Sequence, residues 1–431
     1  MSRIDLEPVK GTRDFYPEDL RFRSWLFGHM RAVATAFGYE EYDACVLEHA
    51  ALYIRKAGDE VTRQLYEFMD KGGRHVALRP ELTPSLARMV MARGAALALP
   101  LRWFAIPQCF RYEETQRGRK REHFQWNMDV IGLASVAAEA ELMAAQAELC
   151  RRVGLRLDGP EPEALWRVSD RRLLADALAG LGLDEERAAA VCVLIDKRGK
   201  IGDEELLAAL GELGVDREAA RRLFALLEVR GLEQLGALLP AEHPGLRALR
   251  ELLALAESHG IAHLIRIDLS VVRGLSYYTG IVWEVFAAAG TFRRAIAGGG
   301  RYDRLCAQLG GEAVPMAGFG FGDIPIQEVL AELGRLPPLP RTLDAVVYPM
   351  DGALIPLANR LAARLRAQGQ SVAVDYTLRR FKHVVQRAES DGAQALYILG
   401  SDEVARGVCK RRRLGGARQE DDIPLAAFGI A

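Results

Sequence analysis

Phe110-Arg-Tyr-Glu-Glu-Thr-Gln-Arg-Gly-Arg-Lys-Arg-Glu-His-Phe-Gln-Trp-Asn-Met-Asp129, or FRYEETQRGRKREHFQWNMD, decides how the first half of the chain reads. An apolar run enters it, four cations (Arg117, Arg119, Lys120, Arg121) crowd around Gly118, and an alternating run leaves it. That is the pattern of strand, turn and returning strand. A hairpin of this kind brings Arg111, Glu113, Gln125 and Asp129 onto one sheet. The basic tip is either a solvated turn or a set of guanidinium groups suited to phosphate oxygens.

The surroundings agree with an antiparallel sheet. From Tyr39 to about Ile131 short runs such as RHVALRP and LRWFAIPQCF are separated by charged turns. Before them, Leu20, Trp25, Leu26, Met30, Val33 and Phe37 recur at helical spacing, which predicts an opening helix over 17–38 closed by Gly38. In Leu78-Arg-Pro-Glu-Leu-Thr-Pro-Ser-Leu-Ala-Arg88 the carboxylate of Glu81 and the hydroxyl of Thr83 share a strand face if the segment is extended, where they could hold an ammonium group. A cap at Thr83 opening a helix over SLARMVMA is the equal alternative.

Beyond Gly159-Pro160 and Pro162 the composition turns to Ala, Leu, Arg and Glu with helical periodicity, to about Ser258, which predicts a helical insertion. Strands return with LIRIDLSVV and IVWEVF, on either side of RGLSYYTG (273–280). In an extended segment only one of Tyr277 and Tyr278 faces a given side. AGGGRYD (297–303) reads as a glycine run entering a helix, or as a plain tight turn. Pro337, Pro338 and Pro340 make a stiff linker, and after it strands and helices alternate as β-α-β-α-β, the sign of a small, largely parallel α/β domain.

Half of the 431 residues are hydrophobic and 27% charged, the balance of a globular protein with more than one core. No long uncharged apolar run and no signal-peptide centre occur, so a cytoplasmic protein without a membrane segment is expected. The six cysteines are scattered without metal-site or redox spacing, and no metal site is expected. The net charge of −1 divides unevenly: residues 341–431 carry 14 Lys/Arg against 10 Asp/Glu, a basic tilt compatible with a nucleic-acid surface.

Together and in this order, KGTRDFYP, LRPELTPSLAR, FRYEETQRGRKREHFQWNMDVIG, RGLSYYTG, GGGRYDRL and GFGFGD resemble the successive motifs of the histidyl-tRNA synthetases. The resemblance spans nearly the whole chain. It implies an α+β class II synthetase catalytic domain on an antiparallel sheet (1–159 and 259–335), a helical insertion (160–258) and a C-terminal α/β anticodon-binding domain (342–431). It implies a homodimer that joins L-histidine to tRNA(His) with ATP, magnesium travelling with the nucleotide.

It also implies roles for residues. Arg111 and Arg273 would hold the α-phosphate from opposite sides as catalytic cations. Tyr278 and Asp129 would bracket the imidazole, Glu81 and Thr83 bind the α-amino group, and Gln125 the carboxylate. Arg119 would meet the outer phosphates, Glu113 the adenine amino group, and His123 the adenine ring. Arg117, Lys120 and Arg121 at the tip, with Lys410 and Arg411 in the C-terminal domain, would touch tRNA, although Lys410 to Arg413 reads equally well as a solvated charged strand or turn.

Two positions depart from the pattern. The third motif calls for a phosphate-binding arginine where GFGFGDIP has Pro325, and many relatives carry an acidic residue where this chain has Ser276. The competing readings are a regulatory paralogue, like the synthetase-like subunit of ATP phosphoribosyltransferase, and a non-catalytic RNA sensor. The first typically lacks the anticodon domain and erodes the ATP-contacting arginines; the second would lose the histidine pocket.

Overall fold

A computed structural model describes residues 4–54, 63–180, 182–196, 202–271, 277–415 and 419–430. The chain divides into two compact units, one of residues 1–15 and 22–336, the other of 16–21 and 337–431.

The larger unit is built on two sheets. Its strands are β1 (Glu40–Glu41), β2 (Leu47–His49), β3 (Tyr66–Met69), β4 (His75–Leu78), β5 (Leu101–Ala105), β6 (Gln108–Phe110), β7 (Glu122–Ile131), β8 (Ala164–Asp170), β9 (Ile265–Ile267), β10 (Ile281–Ala287), β11 (Ala295–Arg301) and β12 (Met316–Gly322). The large sheet runs β1-β5-β7-β12-β11-β10-β8-β9, with β6 also paired to β7, and β2-β4-β3 form a small antiparallel sheet. From β5 to β8 every pairing of the large sheet is antiparallel; only β1 on β5 and β9 on β8 are parallel.

Period-2 alternation gives this sheet two different faces. Along β7, Trp126, Met128 and Val130 enter the main core, so Gln125, Asn127 and Asp129 point the other way. Phe319 and Phe321 of β12 join that core, leaving Gly318 and Gly320 on the opposite face. Helix Ala137–Arg152 lies on the core side, where its buried Gln146 Oε1 accepts from Trp166 Nε1 and Trp283 Nε1, both at 2.9 Å. One amide thus satisfies two indoles that would otherwise be buried without partners.

Several expectations need correction. The opening helix runs Pro17–Ala36, with Leu26, Met30, Val33 and Ala34 buried and Leu20 exposed. The predicted helical insertion over 160–258 begins later: Ala164–Asp170 is β8, its Trp166 and Val168 buried and Arg167 exposed, a strand alternation overshadowed by the helical segments that follow. Helices Arg171–Ala179, Glu185–Asp196, Asp203–Glu212, Arg217–Leu227, Leu232–Leu238 and Pro244–Ser258 then fill the segment before β9. Asp170 caps the first by accepting from Arg172 N at 3.0 Å, and Asp216 caps Arg217–Leu227. The glycines of AGGGRYD enter no helix; they lie inside β11, between β10 and β12.

In the smaller unit β13 (Leu343–Pro349), β14 (Val372–Val374), β15 (Ala393–Leu399), β16 (Val408–Arg413) and β17 (Glu420–Pro424) form one sheet in the order β14-β13-β15-β16-β17. β14, β13 and β15 are parallel, as the β-α-β-α-β pattern predicts, and β16 and β17 add an antiparallel edge. Helix Ile355–Ala367 shares one core with Ala345 and Val347, and helix Phe381–Ser390 another with Val346 and Tyr348, so each face of the sheet is covered.

Candidate active site

Over the polar face of the large sheet lies a cavity of about 1100 Å³. Its floor depends on side chains that are missing. A Cβ on Gly320 would overlap the Gln125 amide, one on Gly318 would overlap the Asp129 carboxylate and the Tyr302 hydroxyl, and one on Gly300 would lie 2.6 Å from the Tyr278 ring. The bare backbone of β11 and β12 makes room for the polar residues of β7 and for both tyrosines.

At one end, Glu81, Thr83, Gln125, Asn127, Tyr277, Tyr278 and Tyr302 converge. Tyr277 Oη donates to Glu81 Oε2 at 2.8 Å. Two readings change here. Residues 277–280 are turn and coil, so the alternation rule does not apply and both tyrosines face the cavity, with ring centroids 5.0 Å apart. Glu81 and Thr83 do not share a strand face either: Thr83 is the first residue of helix Thr83–Arg93, with Pro84 inside its first turn. Thr83 is not its side-chain cap, for Leu82 occupies that position and no side-chain capping bond forms. The two residues reach the same cavity because the chain turns from loop into helix between them.

Gln125 Oε1 and Asn127 Oδ1 are buried without a hydrogen-bond partner among the described residues. Buried amide oxygens left so are costly, and here they face a space a ligand can fill. Asp129 lies one layer down, not in the cavity wall, where its Oδ1 accepts from the Tyr302 hydroxyl. Burial raises its pKa to about 7 despite that hydrogen bond.

The other end is cationic. Arg111, Glu113, Arg119, Lys120 and His123 line it from the β6–β7 hairpin, and Arg294 from the start of β11. Arg111 is oriented by Nε donating to Pro80 O at 2.9 Å, while Arg119 Nε lies 2.9 Å from Glu113 Oε2. His123 is held neutral: burial, and then the guanidinium groups of Arg111, Arg13 and Arg119, push its pKa down to about 3. A neutral ring beside fixed cations suits a flat heterocycle carrying phosphates.

The tip of the hairpin is less free than its sequence suggests. Arg117 pairs with Glu328 at 2.9 Å and Glu332 at 3.0 Å on helix Asp323–Glu332. Arg121 donates to Glu113 O at 3.0 Å and stacks over Tyr112. Of the three tip residues expected at tRNA, Lys120 alone is exposed and outside any ion pair among the described residues. In β16, Lys410 lies 3.6 Å from Glu403 and Arg411 2.9 Å from Asp421. Arg273 and Ser276 lie outside the described residues.

Sequence reading missed Asn127, Tyr277 and Arg294. Asn127 could have been found from the alternation that placed Gln125 and Asp129 on one face; the other two depend on a turn and on a strand register that no local pattern announces.

A family model for histidyl-tRNA synthetase matches residues 11–322, nearly all of the larger unit, and a model for an anticodon binding domain matches 344–428. The chain belongs to the histidyl-tRNA synthetase family. Among curated relatives, the chloroplastic/mitochondrial histidine–tRNA ligase of Arabidopsis thaliana is 44% identical over 97% of this chain and 85% of its own length. That of Opitutus terrae is 41% identical over 97% of this chain and 96% of its own. The histidyl-tRNA synthetase of Nostoc sp. PCC 7120 superposes with a TM-score of 0.80 at 22% identity, covering 99% of both chains, which establishes the common fold. That fold is a class II catalytic domain on an antiparallel sheet with a C-terminal α/β anticodon-binding domain.

Proposed function

We propose that the chain attaches L-histidine to the 3′ end of tRNA(His) at the expense of ATP, through a histidyl-adenylate. The observation that carries this reading is one cavity with two chemically distinct ends. A polar end of Glu81, Thr83, Gln125 and Tyr278 suits a small zwitterion, and a cationic end of Arg111, Arg119 and His123 suits a nucleotide. Full-length kinship with histidine–tRNA ligases supports the same reading, and the names of those relatives give no support to a regulatory subunit.

The histidine carboxylate attacks the α-phosphorus in line, and pyrophosphate leaves. Arg111 and Arg273 neutralise the charge that gathers on the α-phosphate oxygens, a preplaced electrostatic contribution. Glu81, fixed by Tyr277, pairs with the α-ammonium group beside Thr83, and Gln125 holds the carboxylate. Tyr278, with Asp129 behind the wall, recognises the imidazole; any side chain that leaves such groups unpaired is rejected. Glu113 faces the adenine amino group and His123 the ring. The tRNA 3′-terminal ribose hydroxyl then attacks the carbonyl and AMP departs, the adenylate phosphate taking the proton.

Magnesium arrives with ATP as part of the substrate. Among the described residues no group of three or more His, Cys, Asp or Glu side chains is placed to hold a metal ion, and Glu113 is engaged with Arg119. Lys120, with Arg117 and Arg121 once released or reoriented, contacts the tRNA acceptor end, and Lys410 and Arg411 contact its anticodon side. The working protein is a cytoplasmic homodimer, and no helix among the described residues is long and apolar enough to cross a membrane. Aminoacylation of a tRNA(His) transcript with labelled histidine tests the reading: charging that requires ATP and ignores other amino acids supports it, and its absence with a folded protein defeats it.

A further inference from the structure

We propose that Arg294 binds the terminal phosphate of the nucleotide, the function for which helix Asp323–Glu332 offers no cation. The inference rests on the nucleotide reading of the cationic end. The first turn of that helix presents Ile324 and Pro325 to the cavity, neither of which can hold a phosphate. β11 runs beside it: Pro325 Cδ lies 2.9 Å from where a Gly322 Cβ would stand, and the carbonyl of Ile296 lies 3.7 Å from the same point. Arg294 is two residues before Ile296 and opens onto the cavity.

Of the other cations nearby, Lys120 is exposed at the hairpin tip and forms no ion pair among the described residues, and the rest are engaged or poorly placed. Arg117 is held between Glu328 and Glu332, Arg119 lies against Glu113, and Arg293 is exposed and donates to Gly290 O. Arg294 is half-buried, its Cδ lying 3.6 Å from where a Cβ on Gly118 would stand. Its hydrogen-bond acceptor is the neutral Gln116 Oε1, and no carboxylate lies within ion-pair range of it among the described residues. Burial and the guanidinium of Arg119 both disfavour its charge, and the Glu113 carboxylate only partly offsets them. A partly desolvated cation facing a second cation is an unfavourable arrangement until a multiply charged anion lies between them. A triphosphate supplies that anion, with Arg111 at the α-phosphate and Arg119 and Arg294 closing on the far end.

Calorimetric titration of the full chain with ATP and with AMP tests this, using the parent and the Arg294→Ala and Arg294→Gln variants. Arg294→Gln keeps a polar side chain beside Gln116 and guards against a folding defect in the alanine variant; histidine affinity serves as the control for an intact cavity. The expected result is a 10- to 100-fold loss of ATP affinity in both variants, AMP affinity within about twofold of the parent, and partial recovery in Arg294→Lys. Equal losses for ATP and AMP, or no loss for ATP, would overturn the assignment. A parent that binds neither nucleotide would instead remove the nucleotide reading, and the inference with it.

Discussion

Asp129 carries a proton through much of the neutral range because burial disfavours its charged form. Its folded pKa, about 7, stands above the ordinary 3.8, so the folded protein binds this proton more tightly than the unfolded chain does. The contribution to stability is therefore whole below about pH 4 and is lost as pH rises through 7. Asp129→Asn keeps an oxygen to accept from Tyr302 and has nothing to titrate. Urea unfolding at pH 5 and pH 8 should show the variant gaining on the parent by roughly 2–3 kcal/mol; parallel behaviour would contradict the assignment. Glu81 makes a second prediction. Glu81→Gln removes the negative charge beside Tyr277, and histidine KM should rise about 10- to 100-fold with ATP KM unchanged, as steady-state exchange kinetics would reveal. At this scale the sequence was most legible where charge and aromatic residues cluster unusually, as in the hairpin. It was least legible at Arg294, whose importance comes from what surrounds it in space.

Among the elements, β11 and β12 owe their function to glycine. Gly320 and Gly299 sit in adjacent strands yet face opposite sides of the sheet, so adding one methyl group to each should have different consequences. Gly320→Ala pushes against the end of the Gln125 side chain, which can swing aside; thermal stability should be nearly kept while histidine affinity falls. Gly299→Ala drives into the buried Trp283 ring and the Gly318 carbonyl, neither of which can move easily, and should cost about 1–3 kcal/mol of stability. Calorimetric melting and histidine titration of both variants separate the two effects. The alternation of Gln125, Trp126, Asn127, Met128 and Asp129 made β7 readable in advance, because period 2 is a local property. The glycine run misled because a strand without side chains has no pattern, and its register is set entirely by its neighbours. Ala164–Asp170 was overlooked for a related reason: seven alternating residues were weighed against a long helical stretch beginning at their last residue.

For the molecule as a whole, the Pro337, Pro338 and Pro340 linker marked the division between units, since proline runs are conspicuous and stiff. The antiparallel edge of the C-terminal sheet was marked only in part: a charged strand was one reading of Lys410 to Arg413, but charge on both faces and the lack of alternation left its pairing unspecified. Its cations lie beside Glu403, Glu420 and Asp421, so the proposed tRNA contact requires exchanging these partners for phosphate. tRNA KM should therefore rise steeply between 50 and 200 mM salt while histidine KM stays flat, and Arg411→Ala should reduce the logarithmic salt slope by about one if it meets a single phosphate. An unchanged slope would move the anticodon-side contact elsewhere.

The central claim is that one cavity activates histidine with ATP, and histidine-dependent exchange of labelled pyrophosphate into ATP tests it most directly. The account predicts exchange with histidine alone among the amino acids, reduced about 10²- to 10³-fold in kcat by Arg111→Ala and by Arg273→Ala, each of which removes one preplaced cation from the transition state. A parent that binds histidine and yet exchanges no pyrophosphate would contradict it, and would return the chain to the class of synthetase-like proteins that bind an amino acid without activating it.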